Sequence, residues 1–311
     1  MKAAVISRFG QVADVVEVRD IPAPAVGPHD LLIEVRAAGV NPVDHLIVKG
    51  FMGSTELTHT QVIGSEVAGV VTAAGDEMTR FSVGDEVFAR VDPRVGGAFA
   101  EYVAVHEDLV AVKPAGVSFE EAAGLPLVAL TAWQALTEQA AVKAGTRVLI
   151  HGGAGGVGSA GVQIAKHLGA EVITTVSADG VDLVRELGAD QVIDYRAEKF
   201  DELLRDVDVV LDTIGGDTQE RSFRVLRPGG TLVSIVPIAD VEAKKAQWNV
   251  QASSFLMRPN GEQLARLAAL VESRELRTIV EAVFPLNKAV DALLKVERGG
   301  ARGKTVITVR S

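Results

Sequence analysis

The sequence predicts an α/β protein built from two kinds of segment. The first ~115 residues have the pattern of strands and turns, because β-rich runs such as DLLIEVRAAGV and DEVFARV are separated by Gly-Asp pairs. After that, short apolar runs alternate with helical stretches, which is typical of a parallel sheet covered by helices on both faces. The chain closes with a helical segment, AVDALLKVE, and a strand, GKTVITV.

Composition narrows the class of protein. The chain has 311 residues, enough for two domains, and a formal net charge of −10 at pH 7 with scattered basic residues, which argues against a nucleic-acid partner. No apolar stretch approaches the ~18 residues of a membrane span, and MKAAVISRFG contains no apolar leader. We therefore expect a cytoplasmic protein with no membrane partner. Cysteine is absent, which excludes disulfides, thiol nucleophiles and thiolate metal sites.

Glycines cluster where one predicted helix begins, in HGGAGGVGSAGVQIAKHLGA. G-x-G-x-x-G follows a predicted strand there and opens a helix, a context that favours dinucleotide binding over a plain turn. We expect Gly153 to allow the tight turn, Gly155 to let a pyrophosphate approach, and Gly158 to allow close helix–strand packing. The free N–H groups and the dipole of the helix start would hold the phosphates. The predicted cofactor loop consists of Gly153, Ala154, Gly155, Gly156, Val157 and Gly158.

The end of the second strand of this unit bears on cofactor choice. NAD-binding sites commonly place a carboxylate there, on the ribose hydroxyls. Here the strand ends at Ser177, which would not repel a 2′-phosphate, so NADPH is predicted over NADH. Asp179 lies two residues further on and could restore an acidic contact. A simple capping role for Ser177 is the alternative.

Motifs along the whole chain resemble the medium-chain dehydrogenase/reductase superfamily, most closely its zinc-free quinone oxidoreductase branch, and are similar to alkenal/enone reductases. The motifs are AAGVNPVDHLIVKG, VIGSEVAGVV, GGAFAEYVAV, LPLVALTAWQAL, GGAGGVGSAGVQIAK, GADQVIDYR and GKTVITV. The resemblance implies a GroES-like catalytic domain of residues 1–121 and 258–311, with a Rossmann dinucleotide-binding domain of residues 122–257 inserted in it. It also implies an active site in the cleft and a homodimer joined through the nucleotide-binding domains.

The resemblance also bears on metal binding. Asn41 and Ser65 stand where zinc-dependent relatives carry a Cys and a His ligand, and neither is a normal zinc ligand. We therefore expect no metal. Without a metal Lewis acid, reduction of an already electrophilic acceptor is easier than oxidation of an alcohol. A quinone or an α,β-unsaturated carbonyl needs only hydrogen-bond donors on the developing oxyanion.

Three residues are the predicted catalytic set. Asn41 matches a substrate-side position, although NPVD also has the pattern of a helix start with Asn41 as N-cap. His45 lies in the helix where this branch often carries a tyrosine, and it could donate a proton or simply face solvent. Thr131 matches a position close to the nicotinamide, the alternative being an ordinary threonine at a helix N-terminus.

Three further residues complete the predicted cofactor contacts. Tyr195 and Arg196 match positions near the adenosine 2′-phosphate, where a guanidinium pairs well with phosphate. A lysine that relatives often add about fifteen residues earlier is replaced by Gly180, so the clamp is incomplete. Lys304 matches a position near the cofactor cleft. The alternatives are a solvated surface charge for Arg196 and an ordinary strand start for Lys304.

The predicted function is zinc-independent, NADPH-dependent hydride transfer to quinones or α,β-unsaturated carbonyls. The alternatives are an enoyl-thioester reductase, which applies the same chemistry to a larger substrate, and a non-catalytic NADPH-binding redox sensor. We expect the pocket to be shaped by the loops Lys49–Gln61 and Ile238–Phe255.

Overall fold

The computed structural model describes residues 1–51, 57 and 60–310. The chain divides into two compact units, residues 1–127 with 259–311, and residues 128–258. The boundary predicted at residue 122 falls inside the helix Phe119–Ala123, which belongs to the first unit. In the described part of the chain, no helix is long and apolar enough to cross a membrane.

The α/β prediction is confirmed, and the elements alternate as the sequence pattern indicates. From the N-terminus to residue 123 they are β1 Lys2–Ile6, α1 Val12–Val15, β2 Glu17–Asp20, β3 Asp30–Val40, α2 Pro42–Val48, β4 Gln61–Val62, β5 Glu66–Ala74, β6 Glu86–Arg90, β7 Tyr102–His106, β8 Val110–Val112 and α3 Phe119–Ala123. From residue 126 to 254 they are α4 Pro126–Gln134, β9 Arg147–His151, α5 Gly156–His167, β10 Glu171–Val176, α6 Val181–Glu186, β11 Gln191–Asp194, α7 Phe200–Leu203, β12 Val207–Asp212, α8 Gly216–Ser222, β13 Leu226–Ser234, α9 Val241–Trp248 and β14 Gln251–Ser254. The C-terminal elements are α10 Gly261–Glu272, β15 Val280–Pro285, α11 Ala289–Glu297 and β16 Lys304–Thr308.

The first unit is built on a mainly antiparallel sheet in the order β15-β16-β3-β5-β6-β8, with β7 also paired to β3. The C-terminal strand β16 lies antiparallel to β3, with Thr305 opposite Val40. A small sheet, β2-β1-β4, completes the unit. The core of this unit is mostly aliphatic, with Leu31, Ile33 and Val35 of β3 fully buried at alternate positions of the strand.

The second unit is a six-stranded parallel sheet in the order β11-β10-β9-β12-β13-β14. The chain runs outward from β9 to β10 and β11, then returns to the other side of β9 with β12. The strand order therefore reverses between β9 and β12. In open α/β sheets, ligands bind beyond the carboxyl ends of the strands at such a reversal.

Close packing of α5 on β9 depends on Gly158 in the first turn of α5. An ideal Cβ at Gly158 would lie 2.1 Å from the carbonyl oxygen of Gly152. That oxygen belongs to the backbone and cannot move without displacing the turn. The predicted role of Gly158 in helix–strand packing is therefore consistent with the steric environment of this glycine.

We predict that Gly158→Ala lowers the free energy of unfolding by about 1–3 kcal/mol, because the added methyl group overlaps a backbone oxygen. Denaturant unfolding of the purified protein measures the change. Gly161→Ala is the matched control in the same helix, since its Cβ would meet side-chain atoms rather than backbone, with Leu211 Cδ2 nearest at 3.2 Å and Ile150 Cδ1 at 3.5 Å. Equal stability of Gly158→Ala and the wild type would contradict the packing argument.

Candidate functional site

The glycine loop after β9 makes its tight turn at Gly152. Gly152 has φ +68°, in the left-handed region that favours glycine. The turn closes with the hydrogen bond from the Gly155 N–H to the Gly152 carbonyl oxygen, so Gly153, the residue predicted to allow the turn, lies inside it, and the positive φ falls one residue earlier. Gly153 is instead required by space, because a Cβ there would lie 2.0 Å from the Thr174 Oγ1 of β10.

The loop ends at a helix N-terminus with exposed donors. Gly155 is the N-cap of α5, with extended backbone, and no side chain caps the helix there. The N–H groups of the first helical residues have no acceptor within the helix, and the dipole adds positive potential. Gly155, Gly156 and Val157 are partly exposed, whereas Gly153, Ala154 and Gly158 are buried. The arrangement fits the pyrophosphate of a dinucleotide.

A buried histidine lies directly before this loop. His151 is fully buried, with Nδ1 3.0 Å from Thr175 Oγ1 and Nε2 2.9 Å from Ser222 Oγ. Ser222 donates its single hydroxyl proton to the carbonyl oxygen of Thr218, so it accepts the Nε2–H of His151. Burial lowers the pKa of His151 to about 4, and the ring is therefore neutral at pH 7. Its two hydrogen bonds link the end of β9 to Thr175 of β10 and to Ser222 of α8.

The carboxyl ends of the neighbouring strands carry the other predicted cofactor residues. Ser177 follows β10, and its hydroxyl donates to the Asp179 carboxylate at 2.5 Å, so it does not cap the next turn. Tyr195 and Arg196 follow β11, the next strand of the sheet, and both are exposed. The Arg196 guanidinium lies 5.8 Å from the centre of the Tyr195 ring. The structure brings these residues to the same edge of the sheet as the glycine loop.

Thr131 lies in the middle of α4 rather than at its N-terminus. The helix spans Pro126–Gln134, and Thr131 is 5% exposed. The alternative of a threonine at a helix start is therefore wrong. The assignment of Thr131 to the nicotinamide stays a prediction.

In the first unit, Asn41 and Lys304 lie in one buried polar cluster. Asn41 follows β3 at the N-cap position of α2, and its backbone N–H donates to Asp44 Oδ2 at 2.8 Å. The side-chain amide makes different hydrogen bonds: Nδ2 donates to Glu66 Oε2 at 2.5 Å, and Oδ1 accepts from Lys304. Asn41 is 1% exposed. The N-cap position is confirmed, while the amide itself is held by charged neighbours.

Lys304, the first residue of β16, is 4% exposed. Its ammonium donates to Asn41 Oδ1, to Glu66 Oε2 at 3.0 Å and to the carbonyl oxygen of Val40 at 3.2 Å. An ammonium has three N–H donors, and these three acceptors use them all. All three N–H donors of Lys304 are therefore used within the first unit, and its assignment to the cofactor stays a prediction.

A second carboxylate and a guanidinium extend the cluster. Asp44 is 1% exposed and accepts from Ser65 Oγ at 3.1 Å. Burial raises the pKa of Asp44 to about 6, although the positive charge of Arg90 opposes the rise. Arg90 lies opposite Glu66 in the β5–β6 pair and donates to the carbonyl oxygen of Ser65 at 2.8 Å.

His45 lies on α2 and is half-buried rather than solvent-facing. Its Nδ1 is buried and makes no hydrogen bond to the residues that the structure describes. Burial lowers the pKa of His45, against the opposing effect of the Glu297 carboxylate. The role of His45 as a proton donor stays a prediction. Of the predicted pocket loop Lys49–Gln61, residues 52–56, 58 and 59 lie outside the described residues.

Strand order, glycine loop and helix start together define a dinucleotide-binding protein. Comparison with known proteins identifies the family. Residues 27–115 match the family model "Alcohol dehydrogenase GroES-like domain", and residues 187–307 match "Zinc-binding dehydrogenase".

Relatives and solved structures cover nearly the whole chain. The chain is 36% identical to an NADPH-dependent alkenal/one oxidoreductase of Arabidopsis thaliana, over 99% of this chain and 79% of the relative. It resembles a quinone oxidoreductase structure from Coxiella burnetii with a TM-score of 0.90 and 35% identity, covering 100% and 99% of the two chains. A mycobacterial protein solved with NADPH gives a TM-score of 0.90 and 33% identity, covering 99% of this chain and 100% of that one.

The chain therefore belongs to the medium-chain dehydrogenase/reductase superfamily. It is an oxidoreductase that uses a nicotinamide cofactor, and the residues of the glycine loop fit that cofactor.

Zinc is named in one family description, but the two positions matched to zinc ligands carry residues that do not suit zinc. Cysteine is absent, and the positions matched to ligands hold Asn41 and Ser65. The Asn41 amide oxygen faces the ammonium of Lys304, which repels a second cation. Among the residues that the structure describes, no group of three or more His, Cys, Asp or Glu side chains could hold a metal ion.

Sequence reasoning missed Glu66, Arg90 and the true setting of Lys304. Each is a charged residue at one end of a strand whose central residues are mostly apolar: SEVAGVV, EVFAR and GKTVITV. A charge next to a fully buried run is a signal of a paired interior group. Nothing in the sequence shows which partners meet, because the strands are far apart along the chain.

The raised pKa of Asp44 predicts a characteristic pH dependence of stability. Between the ordinary value of 3.8 and about 6, the folded state binds the Asp44 proton more tightly than the unfolded state. The contribution of Asp44 to the free energy of unfolding therefore falls as pH rises through this window, and the loss persists at pH 7. At ~1.4 kcal/mol for each pKa unit, the change is at most about 3 kcal/mol.

Unfolding of the wild type and of Asp44→Asn between pH 4 and 7 checks this sign. The stability of the wild type relative to the variant should decline with rising pH. Asp201→Asn is the control of opposite sign, because hydrogen bonding to Arg221 lowers the pKa of Asp201 and its contribution is lost as pH falls. If the free energies of unfolding of the wild type and Asp44→Asn change in parallel with pH, the raised pKa of Asp44 is contradicted.

Proposed function

We propose that the protein is a zinc-independent, NADPH-dependent oxidoreductase that reduces quinones or α,β-unsaturated carbonyls. The observation that carries the proposal is the glycine loop at the strand-order reversal, where Gly152, Gly153 and Gly158 are each required by conformation or space. The cofactor, when bound, supplies the hydride. Similarity to relatives named for NADPH, alkenals and quinones supports the choice of cofactor and acceptor.

The residues of the second unit would bind and orient the dinucleotide. The N–H groups at the start of α5 would hold the pyrophosphate, since the positive end of the helix dipole offsets the negative charge of an acidic protein. Tyr195 and Arg196 would bind the adenosine end, with the guanidinium pairing with the 2′-phosphate. Thr131 is assigned to the nicotinamide end.

Asn41 would orient the acceptor in the first unit. One amide N–H is held by Glu66, and we assign the second to the acceptor's carbonyl oxygen. A donor aimed at the developing oxyanion stabilises the transition state more than the ground state. Because the acceptor is already electrophilic, this needs no Lewis acid. His45 is the proposed proton donor on the same helix.

The open edge of the parallel sheet supports a homodimer. Among the described strands, β14 pairs only with β13, so its second edge carries unpaired backbone groups. A second copy of the chain pairing there would extend the sheet. The cytoplasmic location and the absence of other macromolecular partners stay predictions.

We predict that Gly155→Asp abolishes NADPH binding and NADPH oxidation with either a small quinone or an alkenal. Aspartate is a favourable N-cap residue and the Gly155 backbone is extended, so the fold should survive. Its charge would occupy the pyrophosphate position. Gly155→Asn is the matched control, with the same shape and no charge, and should bind NADPH more tightly than Gly155→Asp. Unchanged NADPH affinity in Gly155→Asp would refute the assignment of the loop.

Arg196→Ala should raise the Kd for NADPH about tenfold or more and leave the Kd for NADH nearly unchanged, because only NADPH carries the 2′-phosphate. Titration of protein fluorescence with each cofactor measures both constants. Arg185→Ala removes another exposed arginine of the same unit, on α6, and serves as the control. An equal loss of affinity for NADH and NADPH would show that Arg196 does not bind the 2′-phosphate.

A further inference from the structure

The buried cluster of the first unit is organised around one ammonium group. The Nζ of Lys304 contacts a carboxylate, a side-chain amide oxygen and a backbone carbonyl oxygen, all from residues distant in sequence. These three oxygen atoms match the three N–H donors of an ammonium and surround its positive charge. Here the cation is covalently attached to β16.

The backbone around this cluster leaves room for the carboxylate of Glu66. An ideal Cβ at Gly39, on β3, would lie 2.4 Å from Glu66 Oε2 and 2.5 Å from the carbonyl oxygen of Ala123. Glu66 also accepts the backbone N–H of Leu127 through Oε1, at 2.6 Å. The carboxylate is therefore fixed by three partners, namely the Leu127 N–H, Asn41 Nδ2 and Lys304 Nζ.

These contacts determine the orientation of the Asn41 amide. An amide can be turned by half a rotation, which exchanges its oxygen and its NH₂ group. The ammonium can donate only to the amide oxygen, and the carboxylate can accept only from the NH₂ group. Lys304 and Glu66 thus select one of two orientations, and that orientation decides where the second N–H points.

We propose that Lys304 is a positioning residue whose ammonium is a tethered cation, taking the place of a metal ion, that orients the amide of Asn41 together with Glu66. It is not a ligand of the cofactor. The inference rests on the proposed function for its effect on turnover, because Asn41 is assigned there to the acceptor. The cation site itself is independent of that function.

The first test needs no enzymatic activity. Lys304→Ala removes the cation that is hydrogen-bonded to the buried Glu66, which should lower the Tm. Ethylammonium fills the space of the missing side chain and restores the charge, so it should raise the Tm of Lys304→Ala in proportion to the logarithm of its concentration. Ethanol is the neutral control and should not. An equal response to ethanol, or an equal response of the wild type to ethylammonium, would overturn the tethered-cation site.

The second test separates positioning from cofactor binding. In Lys304→Ala, kcat should fall by about 10- to 100-fold with the Kd for NADPH within about twofold of the wild type, and ethylammonium should restore kcat. The double variant Lys304→Met with Glu66→Gln removes both charges at similar volume. We expect this double variant to fold even if Lys304→Ala does not. It should show the same loss of kcat.

The outcomes are distinct. A large increase in the Kd for NADPH in Lys304→Ala would mean that the lysine holds the cofactor, and full kcat in the double variant would mean that the pair only stabilises the fold. Either result overturns the proposal. If the wild type binds NADPH but reduces no acceptor, the proposed function fails while the Tm rescue still decides the cation site.

Discussion

The buried charge pair between Glu66 and Lys304 links two strands of the first unit that lie far apart in the sequence. Each group is almost fully buried, and an unpaired charge in that position would cost several kcal/mol. Strand β5 comes from the N-terminal segment and β16 from the last residues of the chain. Pairing the two charges therefore joins the ends of the sequence in one sheet. Backbone pairing of β16 with β3 likewise brings residues 259–311 into the same unit as residues 1–127.

The second unit depends on steric constraints rather than on charge. The parallel strands place all their carboxyl ends at one edge, and the glycines let α5 begin directly above β9. Backbone N–H groups then supply the positive potential at the phosphate position. This explains how a chain with a net charge of −10 can be built for a polyanionic cofactor.

Local patterns were sufficient to predict most elements. The β-rich run in DLLIEVRAAGV indicated the strand that is observed as β3, and G-x-G-x-x-G predicted the loop between β9 and α5. The turn conformation at Gly152 was not predictable in the same way, because neighbouring glycines are equivalent in sequence and only the space around each distinguishes them. The contacts of Lys304 were even less predictable from the sequence. Its acceptors lie more than 230 residues away, and periodicity carries no information about which buried charges meet.

The central claim is that the nicotinamide cofactor and the chain's own donors suffice for hydride transfer, with no metal ion. The most direct measurement is NADPH oxidation with a small quinone and with an alkenal, before and after exhaustive dialysis against EDTA, with NADH as the comparison. The account predicts turnover that survives chelation, is unchanged by added Zn²⁺ and is faster with NADPH than with NADH. Activity that disappears with EDTA and returns with stoichiometric Zn²⁺ would contradict it.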